Sequence, residues 1–256
     1  MRAPDSPSSS PSWPSHPACD PPRVPGWALL RDTASSDADA AFCAGAALTC
    51  LDRVVAAAPP FRGAFGLRLA LKSAAAAVKR CGRAEDEAAL RDAWYLRKAG
   101  DAPGPAGQVL EAWRRLAARA SSLDEDRLRG VADLFEVRWS TELAVVPDRV
   151  EALSRGAMPA PFAAAAILRE IVTLRADAEL FGLWLADLVL SRCMRWGAAV
   201  PLLLVGRDGA AFFRAGDRGH AQVGEDGVRR ALRAKGAGEA ISLLLDEVRC
   251  RALSRH

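Results

Sequence analysis

From Asp37 onward, apolar residues recur every three to four positions, the spacing that puts them on one side of an α-helix. Ala44, Leu48, Leu51 and Val55 mark a first helix, from Asp37 as N-cap to about Ala57, stopped by Pro59-Pro60. Leu67, Leu71, Ala74, Val78 and Cys81 define a second stripe over about 62–81, with Gly82 as its stop and Arg68, Lys72 and Lys79 on an adjoining stripe. A third helix is expected over about 84–98. Glu85-Asp86-Glu87 at its start and Arg97-Lys98 at its end complement the helix dipole, and Glu87 and Arg91 are an i,i+4 pair. After the Gly/Pro-rich loop 99–105, a fourth helix carries Val109, Trp113, Leu116 and Ala120 on one face. A fifth is expected from Leu123 to about Val145 through Leu128, Val131 and Phe135, and Pro147 ends it or opens a short sixth helix to Gly156.

The segment 162–196 is the most apolar, with Asp177 as a candidate break. Between Leu180 and Leu190 the apolar residues point in nearly every direction, as in a central buried helix. The pattern then fades. Residues 197–227 read as loop-rich, and 202–213, two short apolar runs around a possible Gly206-Arg-Asp-Gly209 turn, stay open between strand and helix. A last helix is expected over about 239–253. The first 26 residues are rich in Pro and Ser and bury too little apolar surface to offset the entropy of ordering. The predicted fold class is all-α: a compact multi-helix domain over 37–256 behind a disordered Pro/Ser-rich N-terminal tail, 1–36.

Composition supports helices, since the apolar half of the chain is mostly Ala and Leu. It also narrows the setting. Asp187, Arg192 and Arg195 interrupt the longest apolar stretch, so no membrane span is expected, and the N-terminus lacks the apolar run of a secretory signal. The six cysteines form no C-x-x-C pair, and Cys43 and Cys50 on one helix would lie about 10 Å apart, too far for a disulfide. Free thiols and a cytoplasmic location are expected.

The formal charge of +4 is modest but uneven: residues 62–119 hold 12 basic and 6 acidic side chains, residues 120–200 hold 9 and 12. Histidine is confined to His16, His220 and His256, which leaves little for histidine-based zinc sites or triads, and no phosphate-binding glycine loop is present. No metal and no cofactor are expected.

Two clusters carry candidate chemistry. Drawn on a helix, Glu85, Ala89, Asp92 and Leu96 share one face, with Arg68, Arg83 and Arg91 as available partners. This arrangement suits either a carboxylate site for Mg²⁺ or an ion-pair network locking the second and third helices together, the commoner case. Asp187 lies in the most apolar helix and requires a partner, for which Arg169 and Arg175 are candidates. The basic stripe Arg68, Lys72 and Lys79, with Arg80 nearby and Arg114, Arg115 and Arg119 as an extension, suits phosphates, but no aromatic residue alternates with it to stack on bases. A solvated face is the ordinary reading of that stripe, and of Arg229, Arg230, Arg233 and Lys235.

The strings Leu69-Ala-Leu-Lys-Ser-Ala-Ala-Ala-Ala77, Gly82-Arg-Ala-Glu-Asp-Glu-Ala-Ala-Leu-Arg-Asp-Ala-Trp94, Gly104-Pro-Ala-Gly107 and Trp113-Arg-Arg-Leu116 resemble the bacterial family of the domain of unknown function 1403. Phe42–Leu48, Leu183–Leu190 and Pro201–Leu203 are similar to it as well, so the resemblance spans about 37–214. It implies a helical bacterial protein with no established activity and no catalytic residues to carry over.

The expected function is a non-enzymatic module that binds a macromolecular partner, protein or nucleic acid. The alternative is a Mg²⁺-dependent enzyme on a phosphate-containing substrate, with Glu85 and Asp92 as ligands and Arg68 and Arg83 holding phosphate. A third class is an oligomeric structural protein with exposed Trp or Leu faces as interfaces.

Overall fold

A computed structural model describes residues 22–28, 37–98, 100–118 and 124–205. The tail up to residue 21, the turn at 206–209 and the helix expected at 239–253 lie outside them. Among the described residues there are eight α-helices and no strand: α1 (Asp37–Ala56), α2 (Arg62–Arg80), α3 (Glu87–Tyr95), α4 (Gly104–Ala117), α5 (Glu125–Leu134), α6 (Val146–Arg155), α7 (Ala160–Leu174) and α8 (Glu179–Cys193). The chain is all-α over this range. The described part of 202–213, Leu202 to Val205, is neither strand nor helix but a turn.

Local chemistry sets the boundaries. Gly82 takes a left-handed φ of 73° after α2, and the N–H groups of Gly82 and Arg83 donate to the carbonyls of Lys79 and Val78, which closes the helix end. Asp86 and Asp124 cap α3 and α5 by accepting the N–H three residues on, at 2.8 Å each. Pro105, Pro147 and Pro161 sit in the first turns of α4, α6 and α8's neighbour α7, where a missing N–H costs nothing.

Three expectations are corrected. The fifth helix ends at Leu134 and not near Val145, because Glu136 adopts a left-handed φ of 58° and the N–H of Val137 turns back to Ala132. A 3₁₀ turn, Thr141–Val145, then leads into α6. The buried face of α2 is Leu69, Ala70, Ser73, Ala74, Ala77 and Val78, whereas Leu67 and Cys81 of the expected stripe are exposed. The third helix is shorter than 84–98, and its Glu87 pairs with Lys72 of α2 rather than with Arg91.

The break at Asp177 is present. Arg175 leaves the helical conformation, binds Asp177 at 2.6 Å and donates to the carbonyl of Arg138 at 3.0 Å. The resulting hairpin of α7 and α8 forms the densest helix pairing, helped by Gly182, where an added Cβ would lie 3.0 Å from Leu168. A second tight pair is α2 on α4. Every residue of α8 from Phe181 to Ser191 is buried. Its Trp184 N–H donates to the Ala112 carbonyl of α4 at 2.8 Å, and Arg80 at the end of α2 meets Glu179 at the start of α8 at 2.5 Å, so the hairpin and the α2–α4 pair share one hydrophobic cluster.

Candidate functional site

α3 is the least buried of the helices around this core. Leu90 alone is fully buried, Glu87 and Trp94 are half-buried, and Ala88, Ala89, Arg91, Asp92, Ala93 and Tyr95 face solvent. The helix is held by the Asp86 cap, by the Lys72–Glu87 pair at 3.6 Å and by contacts to α2 and α4.

At its N-terminal end lies a cleft of about 480 Å³. Ala75 and Ala76 of α2 line it together with Lys72, Lys79, Arg83, Glu85, Leu204 and Val205. Arg83 and Glu85 bind each other at 2.6 Å, which holds the Glu85 carboxyl below its usual range and raises the guanidinium. Three cations and three carboxylates, counting Asp86 and Glu87, balance at the rim.

The five residues expected to form one cluster separate here. Glu85 precedes the first helical residue of α3, so it does not share a helix face with Asp92. Asp92 bonds to neighbouring Arg91 at 3.0 Å in the open, and neither of them nor Arg68 lines the cleft. No three His, Cys, Asp or Glu side chains among the described residues converge as metal ligands would. Of the basic stripe, Lys72 and Lys79 reach the cleft.

The other end of α3 holds a cluster that sequence reasoning missed. The Arg97 guanidinium lies 4.0 Å and that of Arg114 4.7 Å from the centre of the Trp94 ring. Arg114 also lies 5.8 Å from the Tyr95 ring, and its Nη1 is 3.5 Å from the phenol oxygen. Beside them Tyr95 is 64% and Leu96 79% exposed. Arg114 is 20 and 19 residues from these rings in sequence, so only the docking of α3 on α4 unites them. The available signal was that Tyr95-Leu96 falls off the Leu90–Trp94 stripe.

Asp187 takes backbone partners rather than an arginine. Its Oδ1 accepts the N–H groups of Leu202 at 3.0 Å and Leu203 at 3.1 Å, and Ser191 accepts from Val200 at 3.1 Å. Arg175, one expected partner, is engaged by Asp177. Burial pushes the Asp187 carboxyl up to about 7 against the two N–H groups that pull it down, and Oδ2 has no hydrogen-bond partner. The clamp sets the path of the segment that ends at Leu204 and Val205 in the cleft wall.

No helix among the described residues is long and apolar enough to cross a membrane. No curated protein and no solved structure matches the chain. A family model described as "Protein of unknown function (DUF1403)" matches residues 14–232, further than the resemblance over 37–214 at both ends. The chain therefore belongs to the DUF1403 family.

Proposed function

We propose that this protein is a non-enzymatic helical module that docks a macromolecular partner through the open side of α3. The observation that carries this reading is the exposure of Tyr95 and Leu96 side by side, next to arginines stacked on Trp94. Single exposed apolar residues are ordinary on protein surfaces. Tyr, Trp and Arg together are the composition that recurs at the energetic centre of interfaces, and Leu96 adds apolar surface beside them. α3 is also preorganised: its cap, its ion pair to α2 and its buried Leu90 fix it without covering its outer side. Among the described residues Cys43, Cys50, Cys81 and Cys193 are free thiols, which supports placing the module in a reducing cytoplasm.

A photo-crosslinking amino acid at position 95 tests the reading in the source cell. The expected result is a discrete higher-mass adduct that is absent when the crosslinker replaces Arg155, an open position on α6. No adduct at 95, or the same adducts at both positions, contradicts it.

A further inference from the structure

We infer that the element received at this surface is an acidic protein segment carrying an apolar anchor, an inference that rests on the docking role proposed for α3. Arg97, Lys98 and Arg114 bring three cations to the end of α3, and none of them meets a carboxylate among the described residues. The nearest carboxylate in sequence on α3, Asp92, is taken by Arg91. The patch also belongs to the stretch 62–119, with its 12 basic against 6 acidic residues. A guanidinium stacked on an indole keeps its N–H edge available for carboxylates, and stacking reduces the entropy lost in binding one. Arg97, and Arg114 through the N–H groups other than the Nη1 that meets the Tyr95 hydroxyl, therefore present preorganised donors beside Tyr95 and Leu96.

The same geometry disfavours single-stranded nucleic acid as the partner. Stacking of successive bases uses a series of open aromatic faces. Here Trp94 already carries two guanidinium groups, and Tyr95 is the single strongly exposed ring of the cluster. Leu96, the most exposed large apolar side chain described, offers a base nothing to stack on but seats an apolar anchor.

The test is a selection of random twelve-residue peptides on the immobilised full chain, with counter-selection on the Tyr95→Ala/Leu96→Asp variant. Binding of the labelled selected peptide, and of a labelled twelve-nucleotide oligothymidylate, is then followed by fluorescence anisotropy. Peptides with Asp or Glu around a Leu, Phe or Trp should be enriched. Arg97→Glu/Lys98→Glu should weaken the selected peptide about tenfold or more, and exchanging two of its acids for Lys should restore binding to that variant. Such restoration requires a folded variant, so misfolding cannot imitate it. Enrichment of neutral or basic peptides that still need Leu96 would overturn the acidic assignment while leaving the docking role intact. Oligothymidylate binding that is lost on the charge reversal and not displaced by peptide would overturn it in favour of nucleic acid. No enrichment over the counter-selected variant also overturns it, and the crosslink at position 95 then decides the docking role separately.

Discussion

Asp187 in the middle of α8 holds the backbone N–H of Leu202 at 3.0 Å, although 15 residues of chain separate them. The carboxyl is fully buried, and its pKa of about 7 makes the contact sensitive to pH. In the unfolded chain an Asp titrates near about 3.9. Between these two values the folded state holds a proton that the unfolded state has lost, so stability falls as pH rises from about 4 to about 7 and levels off above. At about 1.4 kcal/mol per unit the total reaches at most about 4 kcal/mol. Glu85 and Asp177, whose carboxyls are held low by Arg83 and Arg175, act in the opposite sense and only below the ordinary carboxylate range. Urea midpoints should therefore decline from pH 5 to pH 8 in the wild type. Asp187→Asn keeps an acceptor for both N–H groups and should remove that part of the slope, ending more stable than wild type at pH 8. Equal slopes in the two proteins would show that Asp187 does not titrate in this window.

Two helical glycines should respond oppositely to alanine. A Cβ at Gly45 of α1 meets nothing within 4 Å, whereas one at Gly107 of α4 would lie 2.6 Å from the Cβ of Pro103. Gly45→Ala should stabilise by about 0.5–1 kcal/mol through the unfolded state. Gly107→Ala should destabilise by about 1–3 kcal/mol, because the first turn of α4 must shift. Thermal melting of both variants checks the pair, and a gain at Gly107 would contradict the close approach.

Glu136 closes α5 in a conformation that glycine adopts without strain. Glu136→Gly should raise stability by about 0.5–1 kcal/mol, the relief of the left-handed backbone exceeding the added freedom of the unfolded chain. A lower denaturation midpoint would mean that the glutamate side chain contributes more than the strain it imposes.

The legible parts of the fold were those where chemistry is local. Apolar residues all round α8 announced a central helix and Gly82 announced the end of α2, while Pro147, open between ending the fifth helix and beginning a sixth, sits in the first turn of α6. The end of α5 was hidden because Glu136 stands where a glycine usually marks a left-handed stop, and Arg195 with φ 55° does the same after α8. The face of α2 was misplaced because alanine suits either side of a helix, so an Ala-rich segment has little directional signal.

The candidate site failed to read for related reasons. Among three consecutive acids, 85–87, any could have begun the third helix. Asp86 became the cap, which left Glu85 outside the helix and away from the face of Asp92. The partners of Asp187 are backbone N–H groups of an irregular segment, and these have no signature in side-chain patterns. The Arg114 half of the aromatic cluster depends on the docking of α3 against α4, whereas Arg97 on Trp94 is a local contact three residues apart that follows the basic stripe of α2 rather than lying on it.

The most direct test of the docking role places the photo-crosslinking residue at Ala93, exposed on α3, in the wild-type and Tyr95→Ala/Leu96→Ala backgrounds. Both truncated side chains are mostly solvent-exposed, so the melting temperature should hold within about 2 °C, as expected for surface substitutions. The partner adduct formed in the wild type should disappear from the double variant. An adduct of equal intensity in both backgrounds, with melting unchanged, would contradict a docking surface centred on Tyr95 and Leu96.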